Sequence, residues 1–228
     1  MDRRWVVAVV VLAVVLTCAL PRTADVLAEP ARDDDIGRYP LDAIARVLVP
    51  GAALPCERQR LELVSYRGAR MRYDRTARVH PAFKLRLQAF EVLVVETASA
   101  HYGRGPRQLL HLGTHNCRRM RRYPDWLSEH ALGNAIDVAG FEFAPAARGA
   151  PVPQSLPRAL RGRFTVRLDQ HWNATRGPGA VHRAFLHELG QRLIEREDLF
   201  RVVLGPAWPG HHNHFHLDAA PYRVTEVF

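Results

Sequence analysis

Residues 128–141 read SEHALGNAIDVAGF, and the second half of this stretch alternates as a half-buried strand does. With a strand over 133–141, a period of two puts Gly133, Ala135 and Asp137 on one face and Asn134, Ile136 and Val138 on the other. Gly133 and Ala135 are small, so the surface beside Asp137 is left open. That leaves room for a metal ion held by Asp137 and by His130 from the preceding loop. Glu129, one residue before this candidate ligand, is expected to point away from it.

A second stretch, HHNHFHLD over 211–218, holds four of the chain's 12 histidines. In a strand, His214 and His216 share one face while Phe215 and Leu217 pack into the core. Two imidazoles braced by apolar neighbours make a rigid presentation of ligands. Together the two stretches offer His130, Asp137 and His216, the donor types that Zn2+ accepts. Three protein ligands leave a fourth position for water, which marks a catalytic rather than a structural site. Zinc there polarises a carbonyl and lowers the pKa of its water to about 7. His214, one strand step from a ligand, is placed to shuttle a proton or steady an oxyanion. Two histidines and a carboxylate also suit ferrous iron, and the histidine cluster alone also reads as a solvated chelating loop. His101, His111, His171, His182 and His187 read as structural.

Outward from these motifs the chain reads as α+β, with helices packed on a mainly antiparallel sheet. Strand character is present over 60–66 and 108–113, and again in short runs over 163–168, 200–204 and 214–217. A long amphipathic helix with proline in its first turn is expected over 81–102, with Phe83, Leu85, Leu87, Phe90, Leu93 and Val94 as its apolar residues. A second helix is expected over 181–195, built on Phe185, Leu186, Leu189 and Leu193. Residues 144–157 are rich in Pro, Ala and Gly and read as a loop.

The 228 residues suffice for one sizeable domain and an N-terminal extra. A composition of 47% hydrophobic and 24% charged residues excludes wholesale disorder and collagen-like structure. Lys+Arg 32 against Asp+Glu 23 gives a net charge of +9, and Lys84 is the only lysine. A guanidinium-rich surface favours acidic partners: nucleic acid, an anionic membrane or an anionic wall polymer. Arg3 and Arg4 precede an apolar run from Trp5 to Leu20, and Val26-Leu27-Ala28 follows it as a cleavage candidate. Residues 1–28 therefore read as a signal peptide, with an uncleaved inner-membrane anchor as the alternative. Residues 29–55 read as linker and lead-in, and 56–228 as the folded domain. Export argues against nucleic acid and against iron chemistry that needs a cytosolic reductant. Outside the cytoplasm Cys56 and Cys117 are free to form a disulfide, and two buried thiols remain the alternative.

The S-x-H-x-x-G-x-A-x-D pattern from Ser128 to Asp137, followed by His214-x-His216, resembles the zinc peptidases of bacterial peptidoglycan. These are the D-alanyl-D-alanine carboxypeptidases and dipeptidases, and the murein endopeptidases that share a fold with the hedgehog signalling domain. The nearer resemblance is to the extensin-like C-terminal domain family. It rests on Cys117-Arg118, on Ser128 to Phe141 and on His211 to Asp218, within a span of roughly 56–220. This resemblance implies a hedgehog/D-Ala-D-Ala peptidase-like fold and zinc on His130, Asp137 and His216. His214 becomes the catalytic histidine and His211 an accessory one. Arg118 binds a substrate carboxylate or carbonyl, and Ser128 supports the substrate or the His130 loop. Arg118 reads equally as part of a solvated basic run with Arg119, Arg121 and Arg122. The implied activity is hydrolysis of peptide bonds in peptidoglycan stem peptides, in the periplasm or at the outer face of the inner membrane. The alternative is a zinc-containing wall-binding module without activity. One departure bears on this choice: Asn213 stands where the family carries aspartate before H-F-H, and an amide cannot act as a carboxylate base.

Overall fold

The computed structural model describes residues 39–49, 51, 53, 54, 56 and 61–228, so the expected leader over 1–28 lies outside the described residues. Strands β1 (Val64–Tyr66), β2 (Arg72–Tyr73) and β3 (Ala77–Val79) lead into helix α1 (Pro81–Tyr102). Strands β4 (Gln108–Gly113), β5 (Ala135–Phe143) and β6 (Phe164–Arg167) follow, then the short helix α2 (Leu168–His171) and the longer α3 (Gly177–Glu195). The chain closes with β7 (Val202–Leu204), β8 (Phe215–Asp218) and β9 (Val224–Glu226). β1 and β3 pair on their own, and the other strands form one sheet in the order β2-β4-β5-β8-β7-β9, with β6 also on β5. β2–β4 and β7–β9 are parallel and the remaining pairings antiparallel, which makes this a mixed α+β fold.

Helix α1 starts where the sequence provides for it. Pro81 needs no N–H in the first turn, and His80 Nδ1 accepts a hydrogen bond from the Ala82 N–H at 3.2 Å. Its buried face runs Phe83, Leu87, Phe90, Val94, Ala98, at three- and four-residue steps. Leu85 was expected on that face but is 57% exposed, because it falls about 200° round the helix from Phe83. Glu91 is buried on α1 and accepts hydrogen bonds from the Tyr66 hydroxyl and from the N–H groups of Ala69 and Arg70. These contacts fasten the β1–β2 connection to the helix.

β5 is the central strand. β4 runs along one edge; on the other, β8 pairs with Ala135–Val138 and β6 with Gly140–Phe143. Its alternation is not uniform, contrary to the expectation for 133–141. The register with β4 passes from Leu110↔Gly140 to His111↔Val138, leaving Ala139 as an extra residue. Such a bulge inverts the side-chain alternation beyond it. Val138 pairs with Phe215, whose ring lies beside Gly190 of α3, and Phe141 and Phe143 meet Phe185 of the same helix. Ile136, Val138, Phe141 and Phe143 therefore all serve the helix side, and Asp137 faces the opposite surface. Burying each such side chain contributes about 1.5–3 kcal/mol.

Gly133 does not belong to the strand, which begins at Ala135. It ends the 3-10 turn Glu129–Leu132 in the left-handed region at φ 62°, where a Cβ would lie 2.5 Å from Leu63 Cδ2. His214 likewise lies just ahead of β8 and not within it. Tyr39, Leu41 and Leu48 are buried in the main core, so packing begins ahead of the 56–228 span expected for the folded domain. Cys56 and Cys117 are joined by a disulfide. Among the described residues no helix is long and apolar enough to cross a membrane.

At Gly140, β5 and β6 approach so closely that a Cβ would sit 2.1 Å from the Val166 carbonyl oxygen. Gly140→Ala is expected to destabilise the fold by about 1–3 kcal/mol, seen as a lower urea midpoint with an unchanged slope. An unchanged midpoint would contradict this strand register.

Candidate metal centre

Three elements bring the candidate ligands together. The 3-10 turn Glu129–Leu132 carries His130, β5 carries Asp137, and β8 carries His216 directly opposite Asp137 in the antiparallel register. His216 Nδ1 lies 2.9 Å from Asp137 Oδ1, His130 Nε2 lies 3.2 Å from the same oxygen, and the two nitrogens are 3.3 Å apart. A tetrahedral zinc with bonds of about 2.0–2.1 Å needs ligand atoms about 3.3 Å from one another. The triangle fits that requirement, and it is the group of such side chains found among the described residues.

Each imidazole is oriented from behind. His130 Nδ1 is 3.0 Å from the Thr114 carbonyl oxygen, to which it donates, so Nε2 faces the triangle. His216 Nε2 is 2.8 Å from Asp218 Oδ2, which leaves Nδ1 facing inward. Partners of this kind fix tautomer and ring angle for a metal ligand. Sequence reasoning gave Asp218 no role, although the signal was present: residues 216 and 218 share a strand face.

His214 stands beside the triangle, with Nε2 3.6 Å from Asp137 Oδ1. Its Nδ1 lies 2.8 Å from Asn213 Oδ1. The amide oxygen accepts the Nδ1 proton and holds the ring in place, a role that the loss of a carboxylate does not remove. The His211 ring is 4.7 Å from that of His214 and 5.7 Å from that of His216. All of the sequence-selected residues, Arg118 and Ser128 included, line one cavity of about 890 Å3. Ser128 donates its N–H to the Arg118 carbonyl at 3.2 Å, joining the arginine loop to the His130 turn.

The cavity lining is of two unlike kinds. Arg118, Arg119, Arg121 and Arg122 contribute guanidinium groups, and among the described residues no carboxylate pairs with Arg118, Arg121 or Arg122. Trp126, Tyr222, Trp208, Val202 and Leu204 contribute apolar and aromatic surface, with the Trp126 and Tyr222 rings edge-to-face at 5.7 Å. The cavity's own carboxylates are engaged internally: Glu129 with Arg46, Asp137 with His130 and His216, Asp218 with His216. Glu129 does turn from the ligands, as expected, but into a buried ion pair and not toward solvent. The five histidines read as structural have structural partners; His182 Nδ1, for example, sits 3.0 Å from the buried Tyr102 hydroxyl.

The local electrostatics follow from these contacts. Burial alone raises the Asp137 pKa, but its contacts with the His130 and His216 imidazoles outweigh it and hold the carboxyl well below the usual carboxylate range. Burial lowers the His216 pKa, and its two carboxylate partners, Asp137 and Asp218, reverse this and push it up to about 10. Burial, then the neighbouring His216 and His214, push His211 down to about 4. His214 is lowered by burial, with Asp137 opposing.

In the metal-free chain His216 therefore keeps a proton on each ring nitrogen at neutral pH. A metal entering the triangle must displace the one on Nδ1. Zinc binding at pH 7 is expected to release about one proton, and its affinity to rise with pH toward 10, because proton and metal compete for the same nitrogen. Calorimetry in buffers of different ionisation enthalpy measures this. Binding without proton release counts against His216 as a ligand.

A family model for the extensin-like protein C-terminus matches residues 49–227. No curated protein and no solved structure matches the chain.

Proposed function

The chain belongs to the extensin-like C-terminal family, and from that premise we propose that it is a zinc-dependent hydrolase of peptide bonds in bacterial peptidoglycan. The observation that carries this reading is the His130–Asp137–His216 triangle in a cavity that also holds His214 and the four arginines. Zinc, when bound, supplies a Lewis acid that polarises a peptide carbonyl and activates water near neutral pH. The chain's own residues do the rest. His214, anchored through Nδ1 to Asn213, keeps Nε2 available to take a proton and pass it to the departing amine. Arg118, Arg121 and Arg122 bind and orient the carboxylates of a stem peptide. The apolar part of the lining excludes water from the site.

The expected leader over 1–28 delivers the domain to the periplasm or to the outer face of the inner membrane. The Cys56–Cys117 disulfide suits an oxidising compartment of this kind. The finer fold assignment, to the hedgehog/D-Ala-D-Ala peptidases, is part of the same proposal. It is supported by the strand-borne aspartate and histidine and the loop-borne histidine.

A non-catalytic wall-binding module is the second reading, favoured by Asn213 in place of the family's carboxylate. Incubating purified sacculi with the chain and zinc, followed by mass spectrometry of muropeptides, separates the two. The hydrolase reading expects new products whose masses name the bond cut, and none with His216→Ala, which loses the metal as well. His214→Ala is expected to keep zinc and to lose about 10²–10⁴-fold in turnover. No products from a zinc-loaded parent supports the binding module, and parental turnover in the His214 variant removes that residue from the mechanism.

A further inference from the structure

We propose that Arg46 and Tyr39, both ahead of the 49–227 span matched by the family model, are positioning residues for the metal ligand His130. The proposal rests on the reading of the triangle as a zinc site. Arg46 is buried and grips Glu129 at two points, Nε to Oε1 at 2.6 Å and Nη2 to Oε2 at 3.0 Å. Its Nη1 donates to the carbonyls of Leu41 and Ile44, so the guanidinium is itself held by its own segment. Glu129 opens the turn that carries His130.

Asn134 closes that turn. Its side-chain Nδ2 donates to Glu129 Oε2 at 2.6 Å and its backbone N–H to the Glu129 carbonyl at 3.1 Å. Asn134 Oδ1 in turn accepts from the Tyr39 hydroxyl. The Asn134 carbonyl accepts from the Ala219 N–H at 3.4 Å, just beyond the strand that carries His216. Tyr39, Asn134, Glu129 and Arg46 thus form one buried network that brackets His130 on both sides.

The backbone of the same segment runs along the cavity rim. Leu127 donates its N–H to the Arg46 carbonyl at 2.7 Å, Leu48 donates to the Asp125 carbonyl at 2.7 Å, and Val47 bridges Trp126. A metal site tolerates ligand displacements of only about 0.2 Å. A turn fixed at both ends keeps His130 Nε2 at 3.2 Å from Asp137 Oδ1. Releasing Glu129 leaves a buried carboxylate without its cation, and the turn must then rearrange to rehydrate it.

The test uses the full chain and two variants. Arg46→Met/Glu129→Gln removes the ion pair without stranding a charge, and Tyr39→Phe removes one hydroxyl. Zinc affinity by chelator competition and the cobalt(II) absorption spectrum are read beside the thermal unfolding midpoint. The double variant is expected to lose about 10–100-fold in zinc affinity and to shift or weaken the cobalt bands. Tyr39→Phe is expected to change both readouts in the same direction by a smaller factor, and it carries the test should the double variant not fold. A purely structural strap would lower the unfolding midpoint and leave both metal readouts at parental values, which overturns the proposal. A parental chain that binds neither metal overturns the zinc reading and the positioning role with it.

Discussion

The antiparallel pairing of β5 with β8 sets Asp137 across from His216, and most of the candidate site is a consequence of that register. Directly opposed residues in a sheet stand close enough for their side chains to meet. Here the meeting is between a carboxylate oxygen and an imidazole nitrogen 2.9 Å apart. The same register sets Val138 against Phe215 and Ile136 against Leu217, on the buried side. One alternation therefore fills the core and builds the site. A slip of one residue would exchange the two sets, burying the polar residues and exposing the apolar ones.

The Ala139 bulge reconciles two demands on β5. Its first half must present Asp137 away from the helices, and its second half must bring Phe141 and Phe143 onto Phe185. Strict alternation would put Asp137, Phe141 and Phe143 on one face. One extra residue resolves this at small cost in ladder hydrogen bonds. Bulges beside functional residues are often found to re-aim a side chain in this way.

The charge of the molecule is arranged unevenly around the cavity. The cavity's carboxylates are committed to internal partners, whereas among the described residues no carboxylate pairs with Arg118, Arg121 or Arg122. Four of the chain's arginines thus gather along one cavity. The disulfide from Cys56 to Cys117 ties the lead-in to the start of the arginine loop, and the segment from Arg46 to Val49 pairs alongside it. The loop is held at several points before any ligand arrives, which reduces the ordering that binding would require.

The sequence by itself determined the residue types of the site and much of the scaffold. His130, Asp137, His214 and His216 were legible because local periodicity places side chains within a strand or an adjoining loop, and α1 was legible because 22 residues repeat at helical spacing after a proline. The family was legible from the same two motifs. Only the tertiary structure decided the distances among the three candidate ligands, since they come from a turn and two strands separated by up to 86 residues. It alone decided that Asn213 orients His214, that Asp218 backs His216, and that Ala139 breaks the alternation. It also drew Tyr39 and Arg46 into the core, although residues 29–55 read as linker and lead-in. The reason is that hydrogen bonds and ion pairs between distant segments leave no periodic trace in the chain: Arg46 and Glu129 are 83 residues apart, and only folding makes them neighbours.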